Sequence, residues 1–152
     1  VLVDGDDLND PIPDAARSIL DGHIVLSRDL AIQNQYPAVD ALASISRVMV
    51  DIVTPRQMEE AQRFCELMAT YRKAEDLIHI GAYKSGSSVH VDEAIAKWES
   101  LQSYMKQGIA ESASLASSIE AVSRAVKITP PRDPGIEFER RQLLVPRGDG
   151  VL

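Results

Sequence analysis

The sequence predicts a mainly α protein with a small α/β portion at its front. Residues 55–80 carry apolar side chains at spacings of three and four over a length that strands do not reach. Two shorter helical runs follow it. Ahead of it, residues 13–34 alternate between helix-like and β-branched stretches, an α/β pattern. The 152 residues are enough for one domain with one modest core. Aromatics are scarce at 5%, which favours helices packed through Ala, Leu, Ile and Met. The net charge of -7 argues against attraction to nucleic acid or an anionic membrane surface. Cys65 is the single cysteine, so no intrachain disulfide framework exists, which suits a reducing cytoplasm. No apolar run approaches the roughly 18 residues of a membrane span, and no signal peptide opens the chain.

The elements follow in order. Val1-Leu2-Val3 reads as the end of a buried strand, and Gly5 to Pro11 as an acidic turn. That start without Met reads as an excised piece. Pro13 opens a helix with Ala15, Ala16, Ile19 and Leu20 at helical spacing, and Gly22 stops it. His23 to Leu26 is a short β-branched strand. A lone histidine at a strand start with no second ligand nearby reads as structural. Ser27 caps a helix over residues 28–34.

Thr54 as cap and Pro55 as first residue start the long helix, which Gly81 ends. Its stripe is Met58, Ala61, Phe64, Cys65, Met68, Tyr71, Leu77 and Ile78, with Cys65 read as a buried, inert thiol. Residues 81–88 form a loop containing Gly, Ser and Lys, but they lack Walker spacing and a preceding strand, so a phosphate cradle is rejected. Asp92 caps the next helix, carrying Ala94, Ile95, Trp98, Leu101 and Met105, and Gly108 ends it. Trp98 reads as a core anchor. The last helix spans about 111–126. Residues 128–152 form a tail, in which Leu144 to Gly148 resembles a vector-derived thrombin site.

Between these halves lies Tyr36 to Met49, whose periodicity is not helical. Pro37 removes a donor and pushes Tyr36 towards extended backbone. The stretch reads as a structured loop, where function concentrates. From the residues alone, Arg47 is more often a structural cation paired with Asp40 or Asp51, and Tyr36 more often packing.

The motif YPAVDxxxSxSRVM at 36–49, with DGHIVLSR at 21–28, resembles the rotary and protein-export ATPases. That family holds the ATP synthase beta subunit and the flagellar and type III secretion export ATPases. DGHIVLSR and GAYxxGS at 81–87 look like the export branch. The resemblance covers roughly residues 1–126. It implies that residues 1–50 are the C-terminal part of a RecA-like, P-loop nucleotide-binding domain. Residues 51–127 would then be a C-terminal helical bundle.

The resemblance also implies roles. Arg47 is then an arginine finger acting at a nucleotide between two subunits. Tyr36 offers a face for adenine, and Tyr104 and Ile109 supply the second wall, where Ile109 replaces an aromatic and weakens stacking. The GDDxNDP loop with Asp6, Asp7 and Asp10 faces a central stalk, and the loop at 81–88 is the lever that presses on it. The implied protein is a cytoplasmic bacterial ATP hydrolase, peripheral to the inner membrane, that couples ATP and Mg²⁺ to protein export. Its implied partners are its own copies in a hexamer, a central stalk protein, and export chaperones and substrates. This chain holds no G-x-x-x-x-G-K-S/T motif, so alone it is expected to be inactive and to bind nucleotide weakly. The alternative is a helical module that binds a stalk, chaperone or export substrate without nucleotide chemistry.

Overall fold

The computed structural model describes residues 10–127. The expectations for Val1-Leu2-Val3, for Asp6 and Asp7, and for the tail at 128–152 lie outside the described residues. Eight elements follow in order: α1 (Pro11–Ile19), β1 (Gly22–Leu26), α2 (Arg28–Ile32), β2 (Val39–Ser46), α3 (Met49–Ile52), α4 (Pro55–His79), α5 (Val89–Met105) and α6 (Leu115–Val126). Helix outweighs strand several fold, as the mainly α reading requires.

The helical half is built from local signals. Thr54 starts α4 with a capping box. Its hydroxyl accepts the Gln57 backbone N–H at 3.3 Å, and Gln57 Oε1 accepts the Thr54 N–H at 2.8 Å. Gly81, with φ +69°, follows the helix end. Phe64, Leu67, Met68 and Tyr71 from α4 meet Ala94 and Leu101 from α5 and Ala125 and Val126 from α6 in one core. Trp98 lies at its margin, stacked on Tyr71 at 3.7 Å and 5°. Arg63 bridges α4 and α5 through Glu93, and Arg56 bonds Ser123 of α6 at 3.2 Å. Burial pushes the Lys97 amine down; Glu93 opposes that shift and Arg63 adds to it.

Several expectations are corrected. The segment from Tyr36 to Met49 is not mainly a loop, because Val39–Ser46 is β2, antiparallel to β1. Its lack of alternation has a physical cause. The register slips between His23 and Val25, and residues 40–44 fold back on themselves. Asp40 Oδ1 accepts the Leu42 and Ala43 N–H groups at 3.0 and 3.2 Å, and the Ser44 hydroxyl donates to the Asp40 carbonyl at 2.6 Å. Gly22 does not stop α1, which ends at Ile19; it opens β1. Cys65 is exposed, because the buried stripe runs through Phe64, Leu67, Met68 and Tyr71 instead. Asp92 is not the cap of α5. Ser88 holds that position, and Asp92 reaches back to Gly86 N–H at 2.8 Å and Tyr83 OH at 3.0 Å, closing the preceding loop. The last helix starts at Leu115, where the Ser114 hydroxyl accepts Ser117 N–H at 3.1 Å.

Candidate functional site

Two candidate surfaces flank β2. The first begins where α2 ends. Asn34 turns the chain with φ +58°, a conformation asparagine tolerates well. Gln35 is buried, Tyr36 is 53% exposed, and the Tyr36–Pro37 peptide is cis. The turn after α5 docks on this corner, since Gln107 N–H donates to the Tyr36 carbonyl at 2.8 Å. Glu111 stiffens that turn by accepting Gly108 N–H at 2.9 Å. Between the two corners lies an open cleft of about 550 Å³ lined by Asn34, Tyr36, Lys106, Gln107, Gly108 and Ile109.

The structure therefore brings Tyr36 and Ile109 to one cleft. Tyr104 does not line it. Its ring meets Phe64 edge-on at 5.3 Å and 70°, and it lines an adjoining groove of about 840 Å³ between α5 and α6. Burial raises its phenol above the ordinary tyrosine value. Lys106 and Gln107 form the ridge shared by the cleft and the groove.

The second surface follows the other end of β2. Arg47 is exposed, and its backbone N–H donates to the Asp21 carbonyl at 2.8 Å. Its guanidinium donates to the carbonyls of Ser18 at 3.4 Å and Arg17 at 3.5 Å, at the end of α1. Helix-end carbonyls carry partial negative charge, so they orient a guanidinium. They hold it more loosely than a carboxylate does. Asp40, one of the two carboxylates expected to pair with it, is already taken by Arg72 of α4 at 3.2 Å. Among the described residues Arg47 forms no ion pair, to Asp51 or to any other carboxylate.

Four features were not anticipated from the sequence. Lys106 gives the cleft a cation that no motif announced. The Asp40–Arg72 pair ties β2 to α4. Gly22 was read as a helix stop. Asn34 alone carried a legible signal, as a residue prone to positive φ ahead of an aromatic and a proline. An apolar cleft with one exposed aromatic wall and a cation suits a flat base attached to an anion. Among the described residues no group of three or more His, Cys, Asp or Glu side chains is placed to hold a metal ion. No helix among them is long and apolar enough to cross a membrane.

Comparison with known proteins covers both halves of the chain. Residues 53–124 match the T3SS EscN ATPase C-terminal domain, and residues 1–46 match the nucleotide-binding domain of the ATP synthase alpha/beta family. The flagellum-specific ATP synthase of Bacillus subtilis (strain 168) is 55% identical over 123 residues, which is 81% of this chain and 28% of that relative. The assembled ATPase EscN of the enteropathogenic E. coli type III secretion system superposes with a TM-score of 0.80 at 42% identity, over 84% of this chain and 31% of that one. EscN in complex with its central stalk EscO superposes with a TM-score of 0.73 at 41% identity, over 77% and 29%. The chain thus spans less than a third of the length of these relatives.

Proposed function

The chain belongs to the flagellar and type III secretion ATPase family as its C-terminal part, and on that premise we propose that it completes nucleotide sites between neighbouring subunits of a hexameric export ATPase. Tyr36 and Ile109 flank an adenine in the cleft, with Lys106 beside it. Tyr104 lines the adjoining groove and meets no part of that wall. Arg47, at the far end of β2, reaches the nucleotide of a neighbouring subunit. ATP with Mg²⁺ is the expected ligand of the whole protein, with its phosphates held by sequence that this chain lacks. The observation that carries the reading is the state of Arg47: exposed, oriented by carbonyls and, among the described residues, not paired with a carboxylate. Hydrolysis builds negative charge on the γ-phosphate oxygens, and a planar guanidinium answers that charge through two bonds at once. Such a finger is worth about 10³ to 10⁵ in rate.

In the full-length protein, Arg47→Ala should lower kcat by about 10³ while ATP affinity changes little, because the charge develops in the transition state. Lys should not rescue it, since a point charge does not reproduce the fork. Mixing Arg47→Ala subunits with subunits lacking a working P-loop lysine should restore part of the activity. Failure of every co-assembled mixture would count against action in trans.

A second reading has its own observation. Asp92 clasps the loop between α4 and α5, holding Tyr83, Ser85 and Gly86. A stiff tip on a helical hairpin suits protein contact, and the EscN–EscO complex shows that a similar protein meets a stalk. We assign this tip to stalk contact in the same assembly, with export chaperones and substrates as further candidate partners and the cytoplasmic side of a membrane export gate as the location. Unchanged turnover in Arg47→Ala would leave the helical binding module standing alone.

A further inference from the structure

We propose that the turn from Arg17 to Gly22 positions Arg47, with Gly22 setting the close approach on which that positioning depends; the inference rests on the finger reading above. Gly22 opens β1 opposite Ser46, the residue immediately before Arg47. A Cβ built on Gly22 would lie 2.6 Å from the Ile45 carbonyl oxygen and 3.1 Å from the Ser46 Cα. Both are backbone atoms, so no side chain can swing aside to make room. The requirement is space and not an unusual φ, because Gly22 is not among the positive-φ glycines.

Any side chain here therefore forces the first residue of β1 away from the last residues of β2. Three bonds to Arg47 cross that contact. Its N–H reaches Asp21 O, and its guanidinium reaches Ser18 O and Arg17 O. Asp21 precedes Gly22 directly, and α1 ends two residues before Asp21. Separating the strands moves all three acceptors relative to the arginine together. The two guanidinium bonds are long, so they aim the group and leave its charge available for an anion. A reacting group misplaced by about 1 Å can lose about 10²-fold in rate, so a small shift suffices to disable a finger.

The test uses the assembled full-length ATPase. Gly22→Ala should lower kcat by about tenfold to a hundredfold with KM for ATP little changed. Gly22→Ala combined with Arg47→Ala should be no slower than Arg47→Ala alone, because the glycine acts through the arginine. A purely structural glycine would give losses that multiply in the double variant, and that result overturns the proposal. Unchanged kcat in Gly22→Ala overturns it too. If Gly22→Ala fails to assemble, Leu20→Gly loosens the end of α1 without touching the strand contact. It should lower kcat with the same non-additivity towards Arg47→Ala, and no effect would sink the idea. Loss of turnover in Arg47→Ala with none in Gly22→Ala and Leu20→Gly removes this inference alone, whereas unchanged turnover in Arg47→Ala removes the finger reading beneath it.

Discussion

The helical half and the α/β half bury their apolar residues in opposite ways. In α4, α5 and α6 the large side chains converge, and Ala94 and Leu101 are 0% exposed. In α1, β1 and α2 most of them point outward, with Ile19 and Ile24 at 81% and 75% exposed. Leu30 and Pro13 are the apolar residues buried there among the described ones. The helical half therefore closes on itself, whereas the α/β half presents an apolar face. The difference teaches where the two halves draw their stability. The helices have a core of their own, and the strand pair has hydrogen bonds, the Asp40–Arg72 tie and exposed apolar side chains.

The largest stability effect should come from Leu101→Ala. Emptying that site costs about 2–5 kcal/mol in well-packed cores. Denaturant unfolding followed by Trp98 fluorescence would show it. Hydrogen exchange at the β1–β2 amides should change much less, and equal loss in both halves would erase the contrast. Asp40→Ala comes next. It leaves the Arg72 guanidinium without its carboxylate at the one ion pair between β2 and α4, at a cost of about 1–3 kcal/mol. Faster amide exchange at Leu42 and Ala43 should accompany it, because the same carboxylate holds those N–H groups. Unchanged exchange there would mean the fold-back stands without Asp40.

Thr54→Ala should cost about 1 kcal/mol, the usual worth of a side-chain N-cap. The loss should appear in the helical half alone, as a lower thermal midpoint of the far-ultraviolet circular dichroism signal. The smallest effect concerns acid. Hydrogen bonds from Arg56, then from Ser123, hold the Glu60 carboxyl below its ordinary value of 4.5. A carboxyl whose folded value lies below the unfolded one contributes above the ordinary value and loses that contribution as pH falls through the folded one. Glu60→Gln should therefore trail the wild type near neutral pH and match it in acid. A gap independent of pH would assign the loss to packing.

How much of this was legible depends on the range of the interaction. The start of α4 at Thr54-Pro55, its end at Gly81, the strand at His23 to Leu26 and the stripe through Phe64, Met68 and Tyr71 were readable. Each is set by neighbours within about four residues. The motif around Arg47 was readable as well, and with it the family. β2 was not, because Ala, Ser and Leu do not alternate there. Pairing with β1, and a fold-back held by Asp40 and Ser44, made that stretch a strand. The exposure of Cys65 turned on which face of α4 met α5 and α6, and two adjacent faces looked equally apolar. Asp92 offered itself as a cap, and the loop ahead of it claimed its carboxylate instead. The meeting of Tyr36 with Ile109, apart from Tyr104, rests on one backbone bond from Gln107 across the fold. Gly22 is the sharpest case. The sequence supplied a residue without a side chain, and only the approach of Ile45 and Ser46 decided what that missing side chain was for, because close packing between distant segments leaves no periodic trace in the chain.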